Sequence, residues 1–379
     1  YMKKIFLVTG EPSGDKLASK IINKLKIIEP NIEYRALGGE HLQSIGIGSI
    51  LDLNKVTYLG FTKVLFNIFK INNNINYTVK KIVEYKPDIL FSVDSPDFTL
   101  RVSKKVKKIL PQTKIIHFVA PQVWVWRKKR IKEIEKFVDH MLLLFKFEKK
   151  YWETNNIKCE FIGHPLLEED DSSKIDLSQF IDKNKAIISI FPGSRKSEIN
   201  TLMPILLDSI KLINKKYSDL KYIFHAIKSQ KKLVNDFLIS TDINNCEIIS
   251  DEKIKKYILK KSVFAIAKSG TVSLEISNNK VPSIIIYKMN VINYFIIKML
   301  VKIKYANIIN IAADKMIIPE LLQSKCNPKN IYETVSSYLD NPDKMNAQVK
   351  NTETILDNFK TKNLPSNLAA EYLRKLISQ

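Results

Sequence analysis

The sequence predicts an α/β protein built from two doubly wound, Rossmann-like domains that face each other across a cleft. Three observations carry that expectation. Short apolar runs alternate with segments of helical spacing, the rhythm of parallel sheets covered by helices. The alternation stops at a polar stretch near the middle and then begins again. At 379 residues the chain is also longer than one small hydrophobic core supports.

In the first half, strands are expected at Ile5–Val8, Tyr34–Leu37, Ile89–Val93, Ile115–Val119, Met141–Leu144 and Glu160–Ile162. Each is a short apolar run of the kind buried in a parallel sheet. Between the first two, Leu17, Ile21, Ile22 and Leu25 have the spacing of one helix face. The break is Glu168 to Asp176, EEDDSSKID, which is polar and acidic between apolar flanks. Strands then resume at Ile187–Phe191, Tyr222–Ala226, Glu247–Ile249, Phe264–Ala267 and Ser283–Ile286. From Asn327 onward the pattern is helical. The expected organisation is one domain over 1–167, a second over 177–345, and C-terminal helices over 346–379. The pattern leaves open whether those helices pack on the second domain or return to the first. No repeat of solenoid length is present.

Composition narrows the function. Hydrophobic residues at 45% and charged residues at 26% suit a globular protein. Cys159, Cys246 and Cys326 are odd in number, far apart and without CxxC spacing, which argues against a disulfide framework and for a reducing compartment. The five histidines form no HxxxH or HExxH pattern, so no metal is expected. Lys3 and Lys4 lead straight into IFLVTGE, so no signal peptide is expected, and no apolar stretch is long enough for a spanning helix. The net charge of +22 suits an anionic lipid surface, a nucleic acid or a phosphorylated substrate, and equally a solvated Lys-rich surface. No aromatic RNA-binding signature accompanies it.

Four loops at expected strand ends could carry chemistry. In GEPSGD, Gly10 to Asp15, the two glycines and Ser13 could bring amides to a ligand at a helix start, with Glu11 and Gly14 beside them. It is not a GxGxxG dinucleotide fingerprint. In VDSPDF, Asp94 ends an apolar strand where open α/β sheets bind ligands, and Asp97 follows three residues later. Asp94 has the position of a general base, although Asp before Ser-Pro is also ordinary turn chemistry. In PGSR, Gly193 and Ser194 offer amides and Arg195 a bidentate fork, a set that suits a diphosphate. In SGT, Ser269, Gly270 and Thr271 open a helix, and Glu275 lies one turn on, where its carboxylate could accept ribose hydroxyls. His164 in FIGHP is the histidine with a suggestive context. Together these describe a metal-free sugar-nucleotide transferase. One domain supplies a carboxylate base. The other supplies a cradle in which Arg195 and a helix dipole stabilise the departing diphosphate.

On those residues the chain resembles the lipid-A-disaccharide synthases, inverting glycosyltransferases of the two-domain GT-B type. The matching strings are GEPSGD at 10–15, VDSPDF at 93–98, APQVWVWR at 120–127, FIGHP at 161–165, PGSR at 192–195, SGTVSLE at 269–275 and PELLQ at 319–323. The resemblance implies transfer of 2,3-diacylglucosamine from its UDP derivative to the 6-hydroxyl of 2,3-diacylglucosamine 1-phosphate. The β-1,6 disaccharide 1-phosphate and UDP result, with inversion at the anomeric carbon and no cofactor. It implies Asp94 as general base, and Gly193, Ser194, Arg195, Ser269, Gly270, Thr271, Glu275 and Asn310 around the UDP, Asn310 donated across a dimer. Glu11, Ser13, Gly14, Asp97 and His164 would lie on the acceptor side. A homodimer that exchanges C-terminal segments, and a cytoplasmic location on the inner membrane of a Gram-negative bacterium, follow from the same resemblance.

Departures from the family pattern are Pro12, Lys268 (usually Ala) and Ile309 (often Pro). Other readings of the same loops are a peptidoglycan lipid N-acetylglucosamine transferase, a UDP-N-acetylglucosamine 2-epimerase, or a non-catalytic basic protein that binds membrane or RNA. The VDSPDF and APQVWVWR strings argue against the first two. Because both implied substrates carry acyl chains, Tyr58–Ile71 and Val291–Tyr305, with Lys298, Lys302 and Lys304 among apolar residues, are candidate membrane-surface helices. Both also suit a protein core. Trp124 and Trp126 read as packing residues.

Overall fold

The apolar runs fold as strands, the central ones buried on both faces. In the computed structural model, which describes residues 2–57, 68–121, 128–153, 157–168, 184–289 and 304–378, they form two six-stranded sheets. Every pairing between the named strands is parallel. The chain divides into two units.

The first unit holds β1 (Lys3–Thr9), α1 (Pro12–Ile28), β2 (Ile32–Leu37), α2 (Glu40–Ser44), α3 (Ile68–Tyr85), β3 (Ile89–Val93), α4 (Pro96–Ile109), β4 (Lys114–Phe118), α5 (Lys128–Ile134), β5 (His140–Leu143), α6 (Lys149–Trp152) and β6 (Lys158–Phe161). Its strand order is β2-β1-β3-β4-β5-β6. Ile5 to Val8 and Ile89 to Leu90 are fully buried, as strands covered by helices on both sides must be. Leu17, Ile21, Ile22 and Leu25 form the buried face of α1, as their spacing indicates. Proline opens both α1 and α4, where its missing N–H and fixed φ cost the helix nothing.

The second unit holds β7 (Ala186–Phe191), α7 (Lys196–Asn214), β8 (Leu220–His225), α8 (Lys231–Ile239), β9 (Cys246–Ile249), α9 (Glu252–Lys261), β10 (Ser262–Lys268), α10 (Val272–Asn278), β11 (Ser283–Tyr287), α11 (Ile308–Ala313), β12 (Glu320–Leu322), α12 (Pro328–Leu339) and α13 (Pro342–Asp357). Its order is β12-β11-β10-β7-β8-β9. The edge strand β12 was not expected. Three residues are too few to show a pattern, and pairing with β11 makes the strand.

The last helix, α14 (Pro365–Ser378), belongs to the first unit and packs on α1. The expected division at 345/346 falls inside α13. Gln348 explains why α13 stays with the second unit. Its side chain accepts from Ser283 N at 2.6 Å and donates to Ser283 O at 3.0 Å, pairing like one more residue of backbone at the start of β11. The chain passes to the first unit at Phe359, which is buried against Phe145, ring centroids 4.6 Å apart. Glu168 then accepts from both the amide and the hydroxyl of Ser366 at the start of α14. The polar break beyond Glu168, most of APQVWVWR, the first part of Tyr58–Ile71 and nearly all of Val291–Tyr305 lie outside the described residues.

Candidate functional site

Each sheet reverses its direction of growth at one place. In the first unit the chain runs from β1 out to β2 and returns to β3 on the other side of β1. In the second it runs from β7 to β8 and β9 and returns to β10 beside β7. Loops after the strands at such a switch point form a crevice where open α/β sheets bind ligands. GEPSGD follows β1 and VDSPDF follows β3. PGSR follows β7 and SGT follows β10. All four loops singled out from the sequence therefore stand at a switch point, two in each unit.

In the first unit, the register Thr9↔Val93 brings GEPSGD against VDSPDF. A Cβ on Gly10 would fall 2.5 Å from Ser95 Cβ, and one on Gly14 would fall 2.9 Å from Val93 O. These two glycines let one loop pack on the other; close packing accounts for them without a ligand. Asp94 and Ser95 both have left-handed backbone, φ 57° and 45°. Asp94 N donates to Phe118 O at 2.9 Å, and Thr99 Oγ1 donates to Asp94 O at 2.7 Å, so neighbouring elements hold this unusual turn. The half-buried Asp94 carboxylate accepts from Ser13 Oγ at 2.9 Å on Oδ2 and from Ser95 N at 2.8 Å on Oδ1.

Asp15, at the end of the same motif, is 1% exposed and was not singled out. Its Oδ1 accepts from Gly39 N at 2.7 Å and its Oδ2 from His41 N at 2.8 Å, fastening the loop after β2 to α1. Asp97 points the other way, pairing with Arg130 at 2.8 Å on the surface. His164 is buried, and its Nδ1 accepts from Leu166 N at 3.2 Å, capping the short turn at Pro165–Leu167. His164 thus holds the backbone that follows FIGHP. Glu11 occupies the N-cap position of α1. Below Asp94, Ser92 Oγ and His117 Nδ1 lie 2.7 Å apart in the core; burial pulls the imidazole down to about 3, so it stays neutral.

In the second unit, Glu198, from the first turn of α7, organises PGSR and was not anticipated. Its Oε1 lies 2.6 Å from Arg195 Nη1 and 2.9 Å from Lys268 Nζ. Its Oε2 accepts from Ser194 N at 3.3 Å. Burial pushes this carboxyl up, but the charges of Lys268 and Arg195 outweigh burial and hold it below its ordinary range. Gly193 has φ 116°, and a Cβ there would fall 2.7 Å from Glu198 Oε2. The Ser194 amide expected to face a phosphate is turned to Glu198 here, and Gly193 makes room for that carboxylate. The signal was in the sequence, since an acid three residues after Arg195 shares its helix face.

At SGT the outcome differs. Among the described residues a Cβ on Gly270 would meet nothing nearer than 4.0 Å, so their packing does not require glycine there. Ser269 N donates to Ile286 O at 3.1 Å, and Ser273 Oγ to Gly270 O at 2.8 Å. Thr271 is the N-cap residue of α10, with no side-chain capping bond. Glu275 is buried and pairs with Lys255 at 3.0 Å; Lys255 also reaches Glu252 at 3.0 Å. His225 stacks on Phe191 at 4.3 Å and lies 2.8 Å from Ser189 Oγ, held neutral by burial at about 3.

Asn310 is fully committed within its own unit. Nδ2 donates to Ile318 O at 2.7 Å and to Glu320 Oε1 at 2.8 Å, while Oδ1 accepts from Ile317 N at 2.8 Å and Ile318 N at 2.9 Å. Both amide hydrogens and both acceptor sites are filled. With Glu320, which accepts from the amides of Ala306 and Asn307, it ties together the segments on either side of α11. Among the described residues, no group of three His, Cys, Asp or Glu side chains could hold a metal ion.

A family model described as Lipid-A-disaccharide synthetase matches residues 5–375. The lipid-A-disaccharide synthase of Rickettsia typhi is 36% identical over 381 residues, with 99% of each chain covered. That of Rickettsia felis is 37% identical over 383 residues, covering 99% of this chain and 96% of the other. Among solved structures, the UDP-GlcNAc 2-epimerase of Neisseria meningitidis bound to UDP-GlcNAc superposes with a TM-score of 0.65 at 14% identity, covering 99% of this chain and 100% of that one. The glycotransferase of kitacinnamycin gives 0.62 at 10% identity, with 100% of both chains covered. At such low identity these two structures establish the shared fold and no more.

Proposed function

Since the chain belongs to the lipid-A-disaccharide synthetase family and is a glycosyltransferase, we propose that it joins two diacylated glucosamines, with Asp94 as the general base. The donor is UDP-2,3-diacylglucosamine and the acceptor 2,3-diacylglucosamine 1-phosphate. The acceptor's 6-hydroxyl oxygen forms a bond to the donor's anomeric carbon as its proton passes to Asp94. The bond from that carbon to the diphosphate breaks on the opposite face, and its electron pair leaves on UDP. The configuration inverts in one displacement, and no cofactor takes part.

One observation carries the choice of base. Asp97, Glu198 and Glu275 are each paired with a cation, and Asp15 is buried with both oxygens on backbone amides. Asp94 is half-buried, and its oxygens accept from a hydroxyl and an amide, both neutral. A carboxylate so held is oriented and keeps lone pairs for a substrate hydroxyl. Arg195 is the matching group for the leaving diphosphate. Gly270, which packing does not require, supports close approach of the nucleotide to the SGT turn.

The acyl chains call for contact with a membrane surface, and the net charge of +22 favours an anionic one. No helix among the described residues is long and apolar enough to cross a membrane. Phe69, 83% exposed at the start of α3, would be one apolar contact.

The test is direct. Incubation with both lipids presented in mixed micelles should yield the disaccharide 1-phosphate by mass spectrometry. Asp94→Asn should abolish product while UDP binding persists. Absence of product from the unaltered protein refutes the proposed reaction; unchanged turnover in Asp94→Asn refutes the base.

A further inference from the structure

At the end of β10, the side chain of Lys268 is 16% exposed, and its ammonium shares Glu198 Oε1 with the Arg195 guanidinium. Tyr287, from the next strand, lies beneath that ammonium, 5.3 Å from Nζ to the ring centroid. Three neighbouring strands thus fix two cations side by side at the switch point: Arg195 after β7, and Lys268 on β10 over the Tyr287 ring of β11. Glu198 also takes the Ser194 amide and places a negative charge at the start of α7, which disfavours a phosphate there. An anion arriving at this turn is met by the two cations.

We propose that Lys268 is a phosphate-recognition residue which, spaced from Arg195 by their shared carboxylate, grips the diphosphate of the nucleotide and sets a preference for nucleoside diphosphates over monophosphates and nucleosides. The inference deepens the reading that the second unit binds a UDP-sugar and rests on it. Glu198 is then a positioning residue that keeps the two cations at a fixed separation before the ligand arrives.

Calorimetric titration of the full chain with UDP, UMP and uridine tests this. The unaltered protein should prefer UDP. Lys268→Met should weaken UDP about tenfold or more, the loss of one charge-assisted contact, and leave uridine unchanged. Lys268→Arg keeps the charge and should restore most of the affinity, which separates recognition from a folding defect. In an Arg195→Met background, Lys268→Met should weaken UDP further. If that second loss vanishes, Lys268 acts only by placing Arg195, and direct recognition is overturned. It is equally overturned if Lys268→Met binds UDP as tightly as the unaltered protein. If the unaltered protein binds UDP no better than uridine, the UDP-sugar reading fails first and this inference falls with it.

Discussion

Replacing Ser13 with alanine isolates the orientation of Asp94 from its chemistry. The hydroxyl donates to Asp94 Oδ2 at 2.9 Å. Ser95 N stays on the other oxygen, and the turn itself is held by Phe118 O and Thr99 Oγ1, neither of which involves Ser13. The perturbation is therefore confined to the carboxylate. A hydrogen bond to a charged group contributes about 1.5–3 kcal/mol. Each 1.36 kcal/mol is a factor of ten in rate, so loss of this orienting bond in the transition state should lower kcat about 10- to 100-fold. KM for the UDP-sugar should hold, because Ser13 and Asp94 both lie in the first unit and Arg195 in the second. The assay is initial-rate formation of the disaccharide 1-phosphate, with Asp94→Asn as the floor. Two results would refute the reasoning. One is a Ser13→Ala enzyme with unaltered kcat. The other is a Ser13→Ala change that slows Asp94→Asn as much as it slows the unaltered protein, since coupled residues should not add in this way.

Three further outcomes follow from the geometry. Gly10→Ala sets a Cβ against Ser95 Cβ and should destabilise the fold by about 1–3 kcal/mol in urea, whereas Gly270→Ala has room, should stay within about 0.5 kcal/mol, and should still weaken UDP. Burial pushes the Glu148 carboxyl up to about 8, against the amides of Leu144 and Phe145 that it accepts from. The folded chain then keeps a proton that the unfolded chain loses above about pH 4.5, so this group's contribution to stability declines as pH rises toward 8; denaturation of Glu148→Gln at several pH values should show that decline removed. Binding to anionic vesicles should exceed binding to neutral ones and fall with added salt, while equal partitioning at all salt levels would count against a charged membrane-facing surface.

The central strands were legible because both of their faces are buried, so apolar runs such as Ile89–Val93 and Ser283–Ile286 mark them directly. Where the pattern stopped short, backbone pairing decided. Lys158 and Lys221 are polar, yet they continue β6 and β8 because their neighbours' amides and carbonyls need partners. The three-residue β12 exists only through its pairing with β11. The site was half legible. Loop positions followed from strand ends. The carboxylates that organise those loops were legible only in part: Glu198 shares a helix face with Arg195, but its pairing with Lys268 and the bonds of Asp15 to Gly39 and His41 join residues 24 or more positions apart. Sequence spacing reports neighbours on one element; it is blind to which loops a sheet brings together.

The glycines show the consequence for reading motifs of this kind. In sequence, GEPSGD, PGSR and SGT look alike, three glycine-bearing turns before helices, each suited to cradling phosphate. In the fold they divide. Gly10 and Gly14 are required by the packing of one loop on another, and Gly193 by the carboxylate of Glu198 against it. Their small size is explained before any ligand is considered. Gly270 has no such explanation among the described residues, and the space they leave around it is what a ligand-approach glycine should show. On the proposed reading, phosphate recognition in the second unit falls to the arginine of PGSR, the neighbouring Lys268 and the SGT turn. A glycine is evidence for a ligand only where a Cβ would meet nothing in the protein itself.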